Sequence, residues 1–121
     1  MIYKFVRSLS VSNRSIAQTN KKFGFKLTRI DISFLFFVVM LHGKGEKIRR
    51  ERIKEISKLC DIYMDNRRIT NITRKLNKYE LITTDVEEFG IYTRHTYYPT
   101  PLLFSYMKEL EERLRMVRWD Y

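Results

Sequence analysis

Between Asp65 and Tyr79 the apolar residues dictate the local structure. Ile69, Ile72, Leu76 and Tyr79 recur at offsets of three, seven and ten. At the 3.6-residue period of an α-helix these positions share one face. At about 100° per residue, Arg67, Asn71, Arg74 and Lys78 fall opposite them. Arg68 and Lys75 flank that opposite face, and Thr70 lies nearby. A helix of this kind must bury one side against a core. Its other side offers only cations and hydrogen-bonding groups, which suits a polyanion with readable edges. A solvated basic surface is the ordinary alternative.

The preceding residues read as its partner helix. Glu51 to Cys60 has Ile53, Ile56, Leu59 and Cys60 on its inner side, with Glu51–Lys54 and Glu55–Lys58 spaced as ion pairs on the wet side. Asp61 to Met64 form a turn, and Asp65 is placed as N-cap of the second helix. Residues 49–79 are therefore expected to form a helix-turn-helix.

Charge is unevenly distributed along the 121 residues. Of the formal net charge of +10, residues 49–79 contribute ten cations against four anions, and residues 1–30 hold seven cations and no anion. Residues 80–98 sum to −3. A concentrated positive field favours a phosphate backbone or an anionic membrane surface. The longest apolar stretch, Ile30 to Leu41, includes Asp31 and Ser33 and falls well short of the roughly 20 residues that span a bilayer. It reads as a central core helix, so no membrane partner is expected. Its start has the capping-box spacing of Thr28 and Asp31, and its stop is His42-Gly43-Lys44-Gly45. No secretory signal is evident, and a single cysteine makes no internal disulfide, so a cytoplasmic location is expected.

After Tyr79 the period changes from 3.6 to 2. Ile82, Thr84 and Val86 alternate with Thr83 and Asp85, and a second alternation runs from Ile91 to Tyr98. Two strands joined as a hairpin over 81–98 follow, separated by Glu87-Glu88-Phe89-Gly90. Lys47 to Arg49 is expected to add a short strand. Thr100-Pro101 opens a last helix over 100–119, with threonine as cap and proline in its first turn. Leu103, Tyr106, Met107, Leu110, Leu114 and Val117 form a long stripe along it. At the other end, Ile2, Leu9, Ile16 and Phe23 recur every seven residues, so residues 1–24 read as an amphipathic helix or a basic arm. Two such apolar edges on so small a domain are most simply covered by a second copy.

Catalytic signals are missing. His42 and His95 are too scattered for a metal site, and no His or Cys pair has ligand spacing. Neither a nucleophile motif nor a glycine-rich phosphate loop occurs, and Glu87-Glu88 sits in a turn. No enzyme activity, cofactor or metal is expected. Cys60 reads as a small packing residue, because Asp61 beside it does not favour a thiolate.

The order of elements, and the segment ITNITRKLNKYELITT at 69–84 in particular, resembles the MarR family of transcription factors. Leu76, Leu81 and Ile82 match apolar positions of that family's recognition helix and first wing strand. The resemblance covers nearly the whole chain. It implies one mainly α domain over 1–121 with a small β-hairpin, a winged helix-turn-helix with extra N- and C-terminal dimerisation helices. It also implies a homodimer bound to near-palindromic double-stranded DNA, and a small aromatic effector between the dimerisation and DNA-binding parts. Arg49, Arg50, Arg67, Arg68, Thr70, Asn71, Arg74, Lys75, Lys78 and Arg94 are the expected DNA contacts. Glu80 departs from the family's glycine, so the helix exit needs a residue with a side chain there. The family's Asp-x-Arg wing signature is also missing, and the hairpin tip carries Asp85, Glu87 and Glu88 instead. A protein-interaction module on the same scaffold and an RNA-binding winged helix are the rival functions.

Overall fold

The computed structural model describes residues 13–119, with side chains as far as Leu114. Five helices and a small antiparallel sheet follow in the order α1 (Asn13–Phe23), α2 (Arg29–Gly43), β1 (Ile48–Arg49), α3 (Arg50–Leu59), α4 (Asn66–Lys78), β2 (Ile82–Phe89), β3 (Tyr92–Pro99) and α5 (Pro101–Trp119). Helix α2 is central. Its Ile32, Phe34, Leu35, Phe37, Val38 and Leu41 are all buried, as expected of a helix apolar on every side. Thr28 and Asp31 close the capping box in both directions.

Four helices leave through a left-handed residue whose successor donates back to the last turn. Glu46 N–H reaches Leu41 O at 3.0 Å, Ile62 N–H reaches Ser57 O at 2.8 Å, and Leu81 N–H reaches Leu76 O at 3.0 Å; α1 closes the same way, Phe25 N–H to Asn20 O at 2.9 Å. These bonds satisfy carbonyls that a helix end leaves unpaired. Gly24 and Gly45 supply the positive φ after α1 and α2, but Asp61 (φ 58°) and Glu80 (φ 60°) do so after α3 and α4. The non-glycine exit expected at Glu80 is thus real.

The sheet has the order β1-β3-β2. Ile48 pairs with Tyr97, and β2 pairs with β3 from Ile82↔Pro99 to Phe89↔Tyr92. The strands therefore run through Glu87 and Glu88, and the turn is only Gly90-Ile91. Gly90 takes φ 62° at the first turn position, as a two-residue hairpin with glycine there requires. The four-residue separator expected at 87–90 is corrected accordingly. Leu59 also differs from expectation: it is 84% exposed, and Ser57 takes its inner place beside Ile53 and Ile56. Leu59 lies six positions after Ile53, some 240° round the helix. On the wet side of α3, Arg52 pairs with Glu55 at 3.1 Å and Glu46 at 3.5 Å, while Lys54 reaches Asn66.

Helix α5 corrects the expectation of an uncovered edge. Leu103, Tyr106 and Leu110 are wholly buried, and Met107, Leu114 and Ile16 nearly so, within this one chain. Helix α1 lies against α5: Tyr106 OH donates to Asn20 Oδ1 at 2.7 Å, and Lys22 pairs with Glu109 at 3.1 Å. Over the described residues, the first helix and the last stripe cover each other. Ile2, Leu9 and the Val117 side chain lie outside the described residues. Among the described residues, no helix is long and apolar enough to cross a membrane.

Candidate nucleic-acid interface

Helix α4 is seated by its apolar face. Ile69 and Leu76 are wholly buried and Ile72 nearly so. Its start is fixed before any ligand arrives. The Asp65 carboxylate accepts from Arg68 N–H at 2.8 Å and from Tyr63 OH at 3.0 Å. Those two bonds, the backbone one first, hold its carboxyl below the usual carboxylate range. Arg68 is itself tied back, its guanidinium donating to Tyr63 O at 2.9 Å.

On the opposite face Arg67, Asn71, Arg74 and Lys78 are exposed. None of the four has a hydrogen-bond or ion-pair partner among the described residues. This leaves one fork-shaped amide and three cations aimed at solvent from one side of a rigid helix. Thr70 is less available, because its hydroxyl donates to Asn66 O at 2.9 Å.

Lys75 belongs to a different structure. Its ammonium lies 2.7 Å from the buried carboxylate of Asp31 and 3.4 Å from Lys26 O. The same Asp31 oxygen accepts from Thr28 N–H at 2.8 Å. One carboxylate thus caps α2 and anchors α4. The loop before α2 follows α4 to its end: Lys26 N–H donates to Tyr79 OH at 3.2 Å, and the Phe25 and Tyr79 rings lie 4.6 Å apart. Asp31, Phe25 and Lys26 position the helix, and sequence reasoning did not assign them that role. The only signal was the capping spacing of Asp31, which says nothing of a lysine 44 residues away.

The remaining expected contacts are elsewhere. Arg50 donates through Nε to Tyr97 OH at 3.0 Å; burial pushes the Tyr97 phenol up, and Arg50 opposes that shift. Arg49 and Arg94 come together in an open groove with Glu46, Glu51 and Glu55, which no α4 residue lines. Arg94 lies over the Phe89 ring at 4.7 Å and faces Glu87 across the strands. The hairpin tip exposes Val86, Phe89, Ile91 and Tyr92 alongside Asp85, Glu87 and Glu88. It adds no positive charge to the α4 face.

A second open groove, of about 670 Å³, follows α3 and the turn to Met64. The aromatic side chains Phe23, Phe25, Tyr79 and Tyr106 pack on one another. Cys60 is half-buried against the core, and burial pushes its thiol up. Among the described residues no group of three or more His, Cys, Asp or Glu side chains is placed to hold a metal ion. Comparison of the chain with protein-family models, with curated proteins and with solved structures gives no match.

Proposed function

We propose that this chain is a winged-helix protein that binds double-stranded DNA through α4, in the manner of a MarR-type regulator. One observation carries the reading: a rigid helix presents Arg67, Asn71, Arg74 and Lys78 in a row, exposed and without partners. The order of α2, β1, α3, α4, β2 and β3, with β1 beside β3, supports the winged-helix assignment. In this reading α4 enters the major groove, which admits a helix. Asn71 pairs with adenine N6 and N7, and Arg67 or Arg74 with guanine O6 and N7. Lys78 holds a phosphate. Arg50 and Lys75 act from behind as positioning residues. The hairpin stands back, because its acids are repelled by phosphate. The α5 stripe from Leu103 to Leu114 is covered within the chain, so a twofold partner in this reading would use another surface.

Selection of bound sites from random duplexes, followed by titration in salt, tests the reading. Neutralising six to ten phosphates lowers affinity about 10³- to 10⁵-fold between roughly 50 and 200 mM salt; a single copy is expected at or below the bottom of that range. Asn71→Ala and Arg74→Ala should each lose about 1–3 kcal/mol of discrimination at particular base pairs. Affinity insensitive to salt, or specificity unchanged in both variants, would sink the proposal. Tight binding to structured RNA without duplex preference would favour an RNA ligand. A protein partner is the second reading, favoured by the exposed Val86, Phe89, Ile91 and Tyr92, and it needs no contact from α4.

A further inference from the structure

On helix α4, Lys78 lies eleven positions after Arg67, about 16 Å along the axis at 1.5 Å per residue. The major groove is about 12 Å wide. A helix seated across it with Asn71 and Arg74 over the bases brings its two ends to opposite phosphate strands. The two ends are not equivalent. The N-terminal end carries about +0.5 charge from the helix dipole, with Arg67 added. The C-terminal end carries about −0.5, which repels phosphate unless cations outweigh it. Lys75 does not serve there, because Asp31 holds its ammonium at 2.7 Å. Lys78 remains exposed, and so does Lys26, which the chain delivers to the same end. The Lys26 backbone is held on both sides, its N–H on Tyr79 OH and its carbonyl near the Lys75 ammonium, and Phe25 packs on Tyr79. This anchoring uses only the backbone of Lys26 and leaves its ammonium free to meet a ligand.

We propose that the loop between α1 and α2 forms a phosphate-binding site with the last turn of α4, in which Lys26 and Lys78 hold the phosphodiester strand at that end of the helix. The site rests on the DNA-binding reading above and extends its footprint to a segment far from the two-helix unit in sequence. It also gives the Asp31–Lys75 pair a purpose: it fixes the loop against α4, so that Lys26 travels with the helix.

The test uses the full chain, the selected duplex and fluorescence anisotropy at several salt concentrations. Lys26→Gln and Lys78→Gln should each weaken every duplex sequence alike. Each should also make the slope of log affinity against log salt shallower by about 0.9, the contribution of one phosphate. Between 50 and 200 mM that is about 3.5-fold less loss per variant. Among duplexes with a neutral methylphosphonate at successive positions, one should then bind the wild type more weakly but Lys26→Gln no worse than its natural counterpart. Since glutamine keeps the backbone bonds of position 26, loss of fold is not an expected cause. An unchanged slope in Lys26→Gln, with Arg74→Ala still losing specificity, would overturn this site and leave the α4 reading standing. No effect of either Lys26→Gln or Arg74→Ala would remove both.

Discussion

Helix α4 and the β2–β3 hairpin are neighbours, joined where Asn77 Nδ2 donates to Thr84 Oγ1 at 2.8 Å, and they use charge in opposite ways. On α4 the apolar side chains pack into the core, Arg68 and Lys75 are tied back, and Arg67, Arg74 and Lys78 are left without partners among the described residues. On the hairpin the reverse holds: Val86, Phe89, Ile91 and Tyr92 stay exposed, and the acids crowd among them. Both regions are solvent-facing, so exposure alone does not mark a site. What separates them is whether the exposed polar groups are a consistent set above a well-packed base. Only α4 meets that condition for an anionic ligand.

The comparison breaks most easily at the packing beneath each surface. Leu76→Ala empties a fully buried position under α4 and should cost about 2–5 kcal/mol in urea unfolding. Ile91→Ser at the hairpin tip should fall within about 0.5 kcal/mol of wild type. Similar costs for the two would mean that the hairpin is packed against something. Leu110→Ala belongs with Leu76→Ala: it should lower unfolding stability rather than shift a sedimentation profile, because α5 is covered within its own chain.

A smaller effect is expected where α4 ends. Glu80 adopts φ 60°, a conformation that costs a residue with a side chain roughly 1–2 kcal/mol. Glycine avoids that cost but gains about 0.4–1 kcal/mol of unfolded-state entropy. Glu80→Gly should therefore raise stability by up to about 1 kcal/mol, visible as a rise of a few degrees in Tm. A fall in Tm would show that the glutamate side chain has a role of its own.

Within the hairpin, His95 provides a pH contrast. Burial first, then the nearby Arg50 charge, holds its imidazole below the ordinary value. The unfolded chain therefore takes up that proton first. Stability from this residue is complete above the unfolded value of about 6.5 and declines as pH falls through it toward the folded value. His95→Gln should flatten unfolding midpoints across that window, whereas a variant as acid-sensitive as wild type would point to other groups. Least of all, Glu87→Gln with Glu88→Gln should change duplex affinity by less than about threefold at moderate salt, since screened charges beyond about 10 Å contribute little. A larger gain would put the hairpin close to the phosphates.

Much of this architecture is readable in the sequence, because the relevant signals are local. The 69–72–76–79 spacing, the Thr28–Asp31 box, the Asp65 cap and the threonine before Pro101 each depend on a few neighbouring residues, and each appears where expected. What the sequence leaves open is who covers whom. The stripe from Leu103 to Leu114 announces a buried face, but the same pattern serves a partner subunit or the chain's own α1. Lys75 shows the same limit: its charge and helical face are legible, whereas its engagement with Asp31 depends on how two distant segments dock. The hairpin turn departs from its sequence pattern for a different reason. Two consecutive glutamates look like loop, yet on a solvated two-stranded ribbon they are tolerated as strand.

Among the described residues, the sheet order leaves the outer edge of β2 without a strand beside it. Such an edge is a template for another molecule's backbone, and eight residues are long enough to seed aggregation. Asp85, Glu87 and Glu88 lie along that edge, so two copies meeting there bring like charges face to face. The same acids that keep the hairpin from adding positive charge to the α4 face thus oppose pairing of two copies through their sheets.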